Sequence, residues 1–117
     1  EIWIPLAQGV TDTTDPANYL EDAVFAVPYN CDVRRIIFRS ESVWGSSSVK
    51  LYKAVDGTQI PATLVETVTR TMAVDDTSYS FDFNASKVYE GEAIAISIDA
   101  ANTLNETIFT LVLEYDI

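Results

Sequence analysis

Two pairs of carboxylates lie close enough in sequence to be weighed as an acid and a base: Asp75-Asp76, and Glu90 with Glu92. General acid–base work needs both groups at one cleft, among neighbours that set their protonation apart. Neither pair has such a polar cluster beside it, and Asp75-Asp76 reads as a turn. Clustered oxygen donors of the kind Ca2+ prefers occur in "TDTTDP" (Asp12, Asp15) and around "AVDGT", without the spacing of an EF-hand loop. The chain has no histidine and a single cysteine, Cys31. Ser/His/Asp and Cys/His nucleophiles are therefore excluded, as are zinc sites built on imidazole or paired thiolates and any intrachain disulfide. Cys31 is expected to pack as a small buried hydrophobe beside a strand. No catalytic residue, cofactor or metal is assigned, and the chain is expected not to be an enzyme.

Binding chemistry offers more. Trp3 and Trp44 are the two tryptophans, and an exposed indole can stack on a sugar ring. Trp44 is the better candidate ligand contact because it sits in "ESVWGSSS", read as a Gly/Ser loop; core or interface packing is the competing role. "NAS" (Asn84 to Ser86) and "NET" (Asn105 to Thr107) fit the N-glycosylation pattern, a short one that turns often satisfy by chance. Three of the seven basic residues, Arg34, Arg35 and Arg39, cluster in "DVRRIIFRS" between Asp32 and Glu41. They read as outward positions of one strand, with a salt-bridging contact to an acidic neighbouring subunit as the alternative.

The elements that must position these residues follow from the pattern of the chain. Its 117 residues make one domain, long enough to bury roughly 60–70% of the unfolded surface. The hydrophobic fraction of 48% places it among folded globular domains. Eighteen acidic against seven basic residues give a net charge of −11, which argues against binding nucleic acid through its phosphates. No run approaches the ~18 apolar residues of a membrane span. No leader peptide is visible, and the sequence opens at Glu1 without Met, as a trimmed or excised chain would.

Apolar residues recur with period two. In "GEAIAISIDA", Ile94, Ile96 and Ile98 share one face, opposite Ala93, Ala95 and Ser97. "SYSFDF" puts Tyr79, Phe81 and Phe83 on one face, "SVKLYKA" alternates Val49 and Leu51 with Lys50 and Tyr52, and "RRIIFRS" turns Ile36 and Phe38 away from Arg35 and Arg39. Weaker strands are expected over 3–6, 23–27 and 64–71. The last has Leu64, Val68 and Met72 at a helical spacing, but its threonines favour extended structure. About eight short strands and no helix imply an all-β fold, an antiparallel, jelly-roll-like sandwich. Residues 1–18 are expected to form an N-terminal arm or a first strand plus loop, and 19–117 the sandwich domain.

The terminal run "TIFTLVLEYD" puts Phe109, Leu111, Leu113 and Tyr115 toward the interior, leaving Ile108 and Val112 on a second face too apolar for ordinary solvent exposure. That face is expected to be covered by the second sheet's edge or by another copy of the chain; Ile108 and Val112, with Arg34, Arg35 and Arg39 as the available cations, are the candidate subunit interface of a homo-oligomer.

The succession "VPYNCDVRRIIFRS", "SVKLYKA", "SYSFDFNASKVYEGEAIAISID" and "TIFTLVLEYD" resembles a β-sandwich domain of tailed-bacteriophage structural proteins, of the capsid-decoration, head-fibre and tail-fibre-like kind. The elements that carry it are the prolyl-x-x-Cys lead-in, the "GEAIAISID" strand and the closing "TLVLEYD". The resemblance implies a jelly-roll-like, non-enzymatic domain on the virion exterior, assembled in the host cytoplasm. It also implies a trimer, with the major capsid protein or another virion protein as partner, and neither nucleic acid nor membrane. It transfers no catalytic residue. Residues 1–18 lie outside it and fit an arm docking on a capsid or a neighbouring subunit. A receptor- or carbohydrate-binding module of a tail fibre, using Trp44, is the second functional expectation.

Overall fold

In a computed structural model, which describes residues 2–4, 25–54, 63–84, 87–102 and 107–116, the chain is an antiparallel β-sandwich. Among these residues there are nine strands and no helix. They are β1 (Ile2–Trp3), β2 (Phe25–Ala26), β3 (Cys31–Arg39), β4 (Gly45–Ala54), β5 (Thr63–Met72), β6 (Tyr79–Asp82), β7 (Lys87–Val88), β8 (Ala93–Ala100) and β9 (Ile108–Tyr115). The first sheet runs β1-β8-β4-β5, with β2 also on β8. In the second, β3 is central, with β6 and β7 end to end along one side and β9 along the other. Most steps along the chain switch sheets, so each sheet is assembled from distant segments.

Alternation decides what each strand buries. Ile36 and Phe38 of β3, Val49 and Leu51 of β4, Phe81 of β6 and Ile94, Ile96 and Ile98 of β8 form one apolar layer between the sheets, joined by Phe83. Phe38 lies at its centre, with ring centroids 5.3 Å from Trp44, 5.8 Å from Phe81 and 6.5 Å from Phe109. Central β8 buries both faces, because its outer positions Ala93, Ala95 and Ser97 are small and sit beside the longer Lys50 and Tyr52 of β4. Leu111 and Leu113 face the core as expected but are only half-buried, since β9 borders its sheet. Leu64 to Met72 is strand, not helix.

Period two breaks once in β3. Val33 pairs with Leu113 and Arg35 with Val112, leaving Arg34 as the extra residue of a β-bulge. Two consecutive side chains, Arg34 and Arg35, are thereby exposed, and the buried positions pass from Cys31 and Val33 to Ile36 and Phe38. A second bulge, at Val65, shifts β5 against β4.

The side where β5 meets β6 is closed by charged side chains. Arg70 donates to the Ser80 carbonyl at 2.8 Å and lies 5.2 Å from the Tyr79 ring centroid. The Glu66 carboxylate accepts the Asn84 amide at 2.8 and 2.9 Å. The Ser80 carbonyl of β6 and the Asn84 amide just beyond it are thus capped, and charges placed there discourage edge-to-edge pairing.

Of the segment 1–18, residues 2–4 form part of the sandwich itself: Ile2 pairs with Ile98, and Ile4 is buried and donates its amide to the Ile96 carbonyl at 2.7 Å. Asp12, Asp15, the turn at Asp56-Gly57 and Asn105 lie outside the described residues.

Candidate functional site

Trp44 takes the core role that competed with ligand contact: its side chain is fully buried against Phe38, and the Gly/Ser stretch after it is strand and not loop. The stretch from Gly45 onward is the first half of β4, where Ser47 is buried and Ser48 shares a hydrogen bond with Thr69 across to β5. The turn into it depends on Gly45. Its φ of +70° is one that side-chain-bearing residues rarely adopt, and an added Cβ would meet Asn102 Nδ2 at 3.2 Å and Ala101 Cβ at 3.3 Å. Asn102 locks the turn, donating its amide to Trp44 O at 3.1 Å and its side chain to Val43 O at 2.9 Å.

The carboxylate pairs separate in the fold. Asp75 and Asp76 form the exposed turn between β5 and β6, with Asp76 at φ 49°. Glu90 is exposed, whereas Glu92 is buried and structural: it accepts the Tyr89 amide at 2.7 Å and lies 3.6 Å from Lys53 Nζ. Among the described residues no group of three or more His, Cys, Asp or Glu side chains is arranged to hold a metal ion. Cys31 is buried, and burial, followed by the neighbouring Asp32 charge, pushes its thiol above the ordinary range. It stays protonated and poorly nucleophilic at neutral pH.

The residues expected at an interface do come together, on the outer face of the second sheet. Arg35 pairs with Val112, and Arg39 pairs with Ile108. One side chain that the sequence reading passed over completes the patch. Ile37 pairs with Thr110 on one side and Ser80 on the other, diagonal to both Ile108 and Val112. Its signal was the doublet Ile36-Ile37, in which a strand must send one residue inward and one outward. Ile108 is 66% exposed, while Ile37 and Val112 are half-buried by their neighbours.

At the other end of this face the charges are paired within the chain. Arg34 donates to both Glu114 oxygens, at 2.9 and 3.2 Å, with Asp32 3.7 Å away. Arg35 lies 3.6 Å from Asp82, and Lys87 pairs with Asp116. Arg39 is exposed and, among the described residues, has no ion-pair partner. Among the described residues the face is therefore divided into a neutralised ionic end and an apolar end that carries Arg39.

The Arg34 hydrogen bond, reinforced by its charge, holds Glu114 below the usual carboxylate range. A carboxylate depressed in this way stabilises the folded state above its unfolded pKa, and the contribution is lost as pH falls through the lower, folded value. Arg34→Gln should move the Glu114 carboxyl titration, followed by NMR, back toward the ordinary range of about 4.3. It should also remove part of the acid dependence of unfolding. An unmoved titration would refute the pairing.

The fold defines an all-β, two-sheet domain whose distinctive surface is this divided face. Comparison with protein-family models, curated proteins and solved structures returns no match.

Proposed function

We propose that the chain is a non-enzymatic structural subunit that assembles with copies of itself and with a larger acidic partner through the outer face of the second sheet. Following the resemblance of its strand and turn motifs, the particular setting we propose is the exterior of a tailed-bacteriophage virion. There the chain serves as a capsid decoration or fibre component, a trimer assembled in the host cytoplasm and held to the major capsid protein or another virion protein. The observation that carries the reading is the pairing of Arg39 with Ile108, next to Ile37 and Val112. In a chain of net charge −11, an apolar strip ending in Arg39, which has no ion-pair partner among the described residues, suits an acidic surface and is costly to leave in water. Arg34 and Arg35 are engaged with Glu114 and Asp82, so the bridging role falls to Arg39.

The double variant Ile108→Asp, Val112→Asp tests this. Light scattering should show an oligomer for the native chain and a monomer for the variant, with strand content by circular dichroism unchanged. Arg39→Glu should weaken assembly in the same direction, and neither variant should co-purify with particles. A native chain that is monomeric and ignores capsids, or a double variant that assembles normally, would refute the proposal.

A further inference from the structure

One end of the sandwich carries a groove unrelated to the assembly face. It is lined by Pro28, Tyr29, Tyr115 and Asp116 and is open to solvent, with a volume of about 420 Å3. The two tyrosine rings touch edge to face, at 88° with centroids 6.0 Å apart, and their faces make a perpendicular corner. Both are accessible, Tyr29 at 63% and Tyr115 at 38%.

The loop that presents Tyr29 is tied down from several directions. Asn30 O accepts the Asp116 amide at 2.9 Å, and Asn30 Oδ1 accepts the Glu90 amide at 2.8 Å. Val27 exchanges hydrogen bonds with the β7–β8 turn, donating to Glu92 O at 3.0 Å and accepting from Gly91 at 3.1 Å. Exposed aromatic rings on so constrained a loop are held ready for a ligand, which reduces the ordering cost of binding.

The same bonds restrict what that ligand can be. Asn30 has committed its side-chain oxygen and its carbonyl, and the Asp116 carboxylate is paired with Lys87. Few polar groups beyond the tyrosine hydroxyls remain to meet a ligand. A saccharide would lose hydration at many hydroxyls without replacement partners. A proline-rich segment matches better. Its rings can lie in the corner that the two perpendicular ring faces make, its prolines have no N–H to satisfy, and its carbonyls accept from tyrosine hydroxyls. Its polyproline II conformation also exists before binding. Arg34 and Lys87 offset only part of the charge of Asp32, Glu114, Asp116 and Glu90 near this end, and with a net charge of −11 on the chain the balance favours a cationic ligand.

We propose that the groove between Tyr29 and Tyr115 binds a basic, proline-rich segment of another protein in polyproline II conformation. The proposal is independent of assembly through Ile108. The test titrates a short polyproline peptide carrying one arginine into the 15N-labelled chain. Saturable amide shifts should be confined to residues 29–30, 89–91 and 115–116, and affinity should fall as salt screens the surrounding negative charge. Tyr29→Ala should weaken binding at least about tenfold, as expected for an aromatic anchor, while Tyr29→Phe and Ile108→Asp retain it. Tyr29 lies outside the core, so its variants keep the native spectrum elsewhere. Absence of saturable binding, binding indifferent to Tyr29→Ala, or preferential displacement of the peptide by a neutral oligosaccharide would overturn the proposal.

Discussion

Replacing Phe38 by alanine is expected to lower the unfolding free energy by about 3–5 kcal/mol, a large share of the roughly 5–15 kcal/mol available to a domain of this kind. Phe38 is fully buried and is the ring that Trp44, Phe81 and Phe109 all approach. Those neighbours come from the turn before β4, from β6 and from β9, so the cavity opens where both sheets meet and cannot be filled by one side chain moving. Phe81→Ala should fall in the same range, because Phe81 is equally buried opposite Ile36. Chemical denaturation reads both. A loss below about 1 kcal/mol for either would show that the aromatic layer is not the core.

Glu92→Ala is expected to cost about 1.5–3 kcal/mol, the scale of hydrogen bonds to a charged group. It removes the acceptor of the Tyr89 amide and leaves Lys53, only partly exposed, without its counter-charge. Glu90→Ala should change stability by no more than about 0.5 kcal/mol, since that side chain faces solvent. Equal effects of the two substitutions, measured by denaturation, would refute the structural role assigned to Glu92.

The contrast between these two glutamates marks the boundary of what the sequence discloses. Both are carboxylates two residues apart, and only the turn at Gly91, with φ +86°, sends one inward and the other out. Face assignments were legible, because a strand converts alternation directly into inside and outside: Ile94, Ile96, Ile98, Phe81 and Phe83 are all buried. Position within a sheet was not. Leu111 and Leu113 show the same alternation as Ile96, yet they sit on a border strand and keep partial exposure. The Gly/Ser composition of residues 45–48 concealed a strand, because pairing with β5 and β8 outweighs weak intrinsic preference. The components of the assembly face were all visible as residues. That Arg39 meets Ile108 depends on register, fixed by the bulge at Arg34, which the sequence shows only as a shift from odd to even apolar positions.

The order of strands also has a consequence for how the chain is made. Ile2 pairs with Ile98, and Arg35 with Val112; of the long pairings, only β4 with β5 joins neighbours along the chain. A topology dominated by such distant partners closes large loops before any contact compensates for them, and so forms slowly, on the millisecond-to-second scale. During synthesis β3 lacks the strand that flanks one whole side of it until residues 108–115 have left the ribosome. The nascent chain can close the β4–β5 hairpin early, but the second sheet is complete only once β9 has joined β3.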